Sequence, residues 1–212
     1  MNLSRTEKIA AAVTAAAALL LGGFFMVRSS PSNATSDCKP FEPQPGDGVW
    51  LWGDSLGVGM SAHLRSAVAA AFPGVPFSSA AVQGYNARQT LSKEIAGREI
   101  RGFSIVSLGS NDAAGNVSNE AIQVQAVIDA LASNGRLLWV LPPNFNIEHP
   151  PAPATKEKQM AFIEQVQSDS RVEILVPDDV VMAHLSSGDH IHLDPAGYKL
   201  LAEQIVARML CS

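Results

Sequence analysis

An α/β fold, a three-layer α/β/α sandwich around a five-stranded parallel sheet, is what three features of this sequence predict. Short apolar runs alternate with longer amphipathic stretches, the pattern of successive βαβ units. Pro and Gly punctuate those stretches at element lengths, as at Pro73-Gly74, Asn134-Gly135 and Pro142-Pro143. The composition, 47% hydrophobic and 17% charged over 212 residues, is that of a globular chain with enough material for one sizeable core.

The apolar run at residues 49–52 reads as the first strand, and a helix over 58–71 follows it, stopped by Pro73-Gly74. A second strand is expected over 75–81 and a third over 103–108. The amphipathic stretch 119–132 reads as a helix ended by Asn134-Gly135, and 137–141 as the fourth strand, closed by two prolines. A helix over 156–167 leads to a fifth strand over 172–176. The last helix spans 195–209, with Asp194 as its N-cap and Pro195 in its first turn. No internal repeat interrupts this order. Open sheets of this kind bind ligands at the carboxyl ends of their strands. Attention therefore falls on the residues just after Trp52, Ala81, Leu108 and Leu141, and the first three places carry polar residues.

Residues 1–28 stand apart from the fold. Arg5 and Lys8 precede an uncharged stretch of 19 residues, 9–27. At about 1.5 Å per helical residue it would reach roughly 28 Å, close to the hydrocarbon thickness of a bilayer. A signal-peptide core is usually shorter, about 7 to 15 residues, so an uncleaved signal anchor is the favoured reading. A cleaved signal, with Ser32-Asn33-Ala34 near the cut, is the alternative. Either one exports the domain. Residues 29–47, rich in Ser, Pro and Asp, read as a tether, which leaves 48–212 as the domain. The two cysteines, Cys38 and Cys211, lie near the ends of that region, where an exported protein can keep a disulfide. Such a bridge would close a loop of about 170 residues, worth roughly 4 to 5 kcal/mol in the chain-entropy model.

Formal net charge is -5; without residues 1–28 the remainder holds 12 basic and 19 acidic side chains, or -7. No basic stripe is present, and neutralising phosphates needs clustered Lys and Arg, so nucleic-acid binding is excluded. The expected membrane contact is the N-terminal helix alone.

Four segments carry chemistry. Gly53-Asp54-Ser55-Leu56-Gly57 joins the first strand to the first helix and exposes a hydroxyl beside the free N–H groups of a helix start. Read alone, it serves equally as a capped strand-to-helix turn. Gly84, after the second strand, lets a backbone N–H approach a ligand closely, or simply makes a turn. Gly109-Ser110-Asn111-Asp112, after the third strand, puts a side-chain amide at the same height. Asp189-His190-Ile191-His192 lies ahead of the last helix, where Asp189 can reach the His192 imidazole within one loop. His190 reads as a surface residue.

Together these segments resemble the four blocks of the SGNH (GDSL-type) hydrolases, in order and at the right strand ends, over about residues 47–210. The resemblance implies a flavodoxin-like sandwich and a serine esterase without metal or organic cofactor. It implies Ser55 as nucleophile, His192 as base and Asp189 as the group that orients it. The Ser55 and Gly84 N–H groups and the Asn111 amide would form the oxyanion hole, while Asp54 and Asp112 would support the loops. Envelope-exposed members of that family often remove O-acetyl groups from carbohydrates. A small-molecule or glycan ester is therefore the expected substrate, and a long-chain acyl substrate of a lysophospholipase or thioesterase is the alternative. Transfer of the acyl group to another sugar stays open, and so does a non-catalytic glycan-binding role for the same fold.

One rival pattern is present: residues 53–57 also satisfy G-x-S-x-G, the elbow of α/β-hydrolases. There the serine follows a mid-sheet strand and the acid stands far from the histidine, unlike here. Residues 142–153 should overhang the site, with Phe145 or His149 as substrate contacts or as parts of a rigid connector. Tyr85 reads as packing, and His63 and His184 as structural residues without partners. Asn33-Ala34-Thr35 and Asn116-Val117-Ser118 match the glycosylation sequon, a match that chance often supplies.

Overall fold

The computed structural model describes residues 39–114, 120–133, 135–143 and 153–211. The stretch 9–27 and Cys38 lie outside them, as do Phe145, His149 and both sequon asparagines. Five parallel strands form one sheet: β1 (Gly48–Gly53), β2 (Phe77–Ala81), β3 (Gly102–Ser107), β4 (Gly135–Val140) and β5 (Val172–Leu175). Their order is β2-β1-β3-β4-β5. The chain turns back at β1 and then continues outward from β3. The cleft outside the carboxyl ends of those two strands is thus the topological switch point, where such sheets bind ligands.

Helices among the described residues are α1 (Ser55–Ala71), α2 (Ala87–Thr90) with a π-helical turn at Leu91–Ile95, α3 (Ser110–Ala114), α4 (Glu120–Ala132), α5 (Pro153–Ser168), α6 (Asp179–Met182) and α7 (Pro195–Leu210). Because side chains alternate across a strand, each strand feeds two cores. Val49, Leu51, Phe103, Ile105, Leu138 and Val140 face α1 and α7. Trp52, Val106, Leu137 and Trp139 face α4 and α5 on the opposite side. Within the sheet Trp52 lies level with Ala80 and Val106, so the ends of β1, β2 and β3 come out together. The three-layer sandwich is therefore as expected.

The differences are local. Helix α1 begins at Ser55, three residues earlier than apolar periodicity suggests, because Asp54 caps it by accepting the Leu56 N–H. Strand β2 starts only at Phe77, past Pro76, whose missing N–H suits a strand entrance and not a ladder. Helix α5 starts at Pro153, a residue that fits a first turn. The compact unit begins at Lys39, inside the stretch read as tether. Phe41 is buried and packs edge-on against Phe72 and Phe103, which apolar periodicity could not reveal for a lone aromatic. Among the described residues no helix is long and apolar enough to cross a membrane.

Candidate active site

Ser55 stands at the end of β1 as the first residue of α1. Its surroundings explain the glycines on either side. A Cβ on Gly53 would lie 2.9 Å from the Ser107 carbonyl oxygen, and one on Gly57 would lie 2.9 Å from the Ala81 Cβ. Only glycine lets the helix start press onto the ends of β2 and β3. Asp54 is fully buried there. Its N–H donates to the Ser107 oxygen at 3.1 Å, and its Oδ1 accepts the Leu56 N–H at 2.9 Å. Burial is the main force on this carboxyl and outweighs the Leu56 N–H, pushing its pKa up to about 7; the nearby Asp112 charge adds to the rise.

Residues 186–194 bring the other half. His192 Nε2 lies 2.8 Å from the Ser55 Oγ, and its Nδ1 lies 2.7 Å from Asp189 Oδ2. Asp189 Oδ1 accepts the N–H groups of Ile191 and His192 at 2.9 and 3.0 Å. Partial burial works to raise the Asp189 pKa, but those N–H donors and the ring together hold it at about 2. Asp189 is therefore ionised at neutral pH and can only accept. That places the proton on His192 Nδ1 and leaves Nε2 with a lone pair aimed at the Ser55 hydroxyl. Both members of this pair are partly exposed, at 37% for His192 and 44% for Asp189, so a substrate can reach the imidazole.

The two remaining blocks flank Ser55. Val82 to Tyr85 form a tight turn in which the Tyr85 N–H donates to the Val82 oxygen at 3.2 Å. Gly84 holds the left-handed position of that turn at φ +79°, which favours glycine. Nothing would meet a Cβ at Gly84, so backbone conformation and not crowding selects it. Asn111, at the start of α3, directs its amide toward the Tyr85 carbonyl at 3.0 Å and Asp54 Oδ2 at 3.4 Å. Asp112 Oδ1 accepts the Ala87 N–H at 2.9 Å, tying the third block to the start of α2. Asp54 and Asp112 are thus loop-holding groups.

All five predicted site residues lie in these adjoining segments: Ser55, His192 and Asp189 are joined directly, with Gly84 and Asn111 on the two neighbouring turns. His184 was expected to be without partners, yet its Nδ1 lies 3.0 Å from Asp194 Oδ2. Sequence reasoning had no signal for this pair, because Asp194 already had a role as helix cap. Tyr198 was missed as well. Its ring occupies the space above Gly59, where a Cβ would come within 2.3 Å. Among the described residues no group of three or more His, Cys, Asp or Glu is placed to hold a metal ion.

No protein-family model matches the sequence, and no curated protein matches it. Solved structures do match in fold. The C-terminal catalytic domain of peptidoglycan O-acetyltransferase A from Streptococcus pneumoniae superposes with a TM-score of 0.56 at 18% identity, covering 77% of this chain and 92% of that one. The psychrotrophic esterase EstA from Pseudoalteromonas sp. gives 0.59 at 15%, over 77% and 96%. A member of the lipolytic G-D-S-L family from Veillonella parvula gives 0.56 at 12%, over 75% and 96%.

Proposed function

From a five-stranded parallel α/β fold shared with esterase and GDSL-type structures, we propose that this chain is a serine carboxylester hydrolase working through an acyl-enzyme. The observation that carries the reading is the unbroken line from Asp189 through His192 to Ser55, at 2.7 and 2.8 Å. Ser55 Oγ attacks the ester carbonyl while its proton passes to His192 Nε2, and the imidazolium is stabilised by the ionised Asp189. The tetrahedral oxyanion forms at the start of α1. There the Ser55 N–H has no residue four positions back within the helix to accept it. The Gly84 N–H and the Asn111 amide complete the hole. Asn111 has to give up one present acceptor for this, and the bond to Asp54 at 3.4 Å is the weaker of the two. His192 then protonates the leaving alcohol, and water, activated by the same imidazole, releases the acid.

The substrate of this reading is a small acyl ester, an O-acetyl group on envelope or extracellular carbohydrate. One fold neighbour is a peptidoglycan O-acetyltransferase domain, which supports acetyl chemistry on such polymers. On this reading the domain is exported, with residues 1–28 as a signal anchor or a cleaved signal, and Cys38 pairs with Cys211. The Phe41 N–H donates to the Met209 oxygen at 2.7 Å, which supports that pairing by binding the chain beyond Cys38 to the end of α7.

A fluorophosphonate should label wild-type Ser55 stoichiometrically, and Ser55→Ala should lower ester hydrolysis by about a millionfold. A Ser55→Ala protein with full activity would refute the assignment. Nitrophenyl esters of increasing length should show a sharp preference for acetate, whereas a maximum at octanoate or longer would replace the carbohydrate reading with a long-chain acyl one.

A further inference from the structure

Outside the line of Ser55, His192 and Asp189, a second histidine–aspartate pair stands at the base of the same loop. The loop runs out from His184 and returns to Asp194. Its two ends are joined by the Asp194 N–H donating to the His184 oxygen at 3.0 Å. Leu185 and Leu193 form an antiparallel bridge, and the Ser186 N–H donates to the carbonyl oxygen of His192 itself at 2.7 Å. The His190 N–H in turn donates to the Ser186 oxygen at 3.0 Å. His192 is therefore not on a free loop but on one rung of a short ladder.

The foot of that ladder is a side-chain contact. Asp194 divides its carboxylate between two tasks: Oδ1 accepts the Gly197 N–H at 2.8 Å and caps α7, while Oδ2 accepts from His184 Nδ1 at 3.0 Å. Those same donors, Gly197 first, hold the Asp194 pKa below the usual carboxylate range, so it is ionised and His184 Nδ1 carries the proton. His184 is seated tightly over the first turn of α7, since a Cβ on Gly197 would come within 2.5 Å of the His184 Cβ. Helix α7 also carries Tyr198, which packs over Gly59 of α1, the helix that begins with Ser55.

We infer that His184 is a positioning residue, which, through its hydrogen bond to Asp194, locks the hairpin that aims His192 at Ser55. It touches neither substrate nor the reacting atoms. Its effect passes through the ladder from residues 184 and 194 to the rung at 186 and 192, and it rests on the reading of His192 as the base. Losing the lock lets the imidazole wander, and a misplacement of about 1 Å at a reacting group can cost up to about a hundredfold in rate.

The test uses three variants of the full chain. His184→Ala removes the donor. His184→Asn keeps a donor near the position of Nδ1. Asp194→Ser keeps a helix cap but removes the acceptor. Nitrophenyl acetate hydrolysis and the fluorophosphonate labelling rate should fall roughly tenfold in His184→Ala and Asp194→Ser, in kcat and not in KM. His184→Asn should restore most of the loss, and the double variant His184→Ala/Asp194→Ser should be no worse than either single change. The low-field proton resonance of the His192 Nδ1–H should broaden in the two impaired variants and stay sharp in His184→Asn. Unchanged kcat and an unchanged resonance in a folded His184→Ala or Asp194→Ser protein would overturn the inference. Absence of labelling and activity in the wild type would overturn the esterase reading, while the resonance would still report on the lock.

Discussion

Ser55 and His192 meet at 2.8 Å, but different forces bring each of them there. The Ser55 region is an outgrowth of the core. Strand β1 is buried on both faces, with Val49, Leu51 and Trp52 inaccessible, and α1 follows it directly with Leu56, Met60 and Leu64 inaccessible or nearly so. Ser55 is therefore placed by packing, and the glycines at 53 and 57 permit contact that a Cβ would forbid. The His192 region is a surface hairpin whose own contribution to the core is small: Leu193 is buried, while Asp189 and His192 are partly exposed. Hydrogen bonds along the hairpin and the cap of α7 define its shape. A site of this kind has one partner that can be lost only with the fold, and another that can be misaligned while the fold stands.

The sharpest test of that contrast is Asp189→Asn. It should lower ester hydrolysis by about 10,000-fold through the wrong imidazole tautomer, while thermal unfolding moves by only a few degrees. Leu51→Ala should do the reverse. A cavity in the core should cost about 2 to 5 kcal/mol, read from the urea midpoint, with activity per folded molecule largely kept. If Asp189→Asn destabilised the protein as much as Leu51→Ala, the division between a packed half and a hydrogen-bonded half would fail.

Acidity separates the two regions again. Asp54 titrates at about 7 in the folded chain against 3.8 when unfolded. The unfolded state thus releases its proton first, and stability falls as pH rises from about 4 to 7, by roughly 2 to 4 kcal/mol. Asp189 has the opposite sign: its folded pKa of about 2 is depressed from 3.8. Its contribution is present above pH 3.8 and is lost as pH falls through 2. Urea titrations at several pH values should show the first decline in wild type and its absence in Asp54→Asn. Smallest of all is Ser186→Ala. It removes only the exposed bond from the Gly188 N–H to the Ser186 Oγ at 3.2 Å and should change stability by no more than about 0.5 kcal/mol. A larger effect would mean that the Ser186 hydroxyl holds the hairpin as well, beyond the backbone ladder and the His184–Asp194 contact.

The sequence by itself determined the sheet, and it named the residues of the proposed site. Alternating apolar runs such as Val49–Leu51 report directly on two-faced burial, and Ser55, Gly84, Asn111, Asp189 and His192 each sit at an element boundary marked by local chemistry. Short elements escaped it: α2, α3 and α6 have four or five residues each, too few for a helical period to register. The tertiary structure decided how the holding groups do their work. Asp54 becomes a weak acid through burial beneath Asn111, Phe41 enters a core built by residues far along the chain, and His184 finds Asp194 through the fold of a hairpin. Local pattern encodes backbone geometry and burial, whereas a hydrogen bond between two side chains depends on where both chains end up in space.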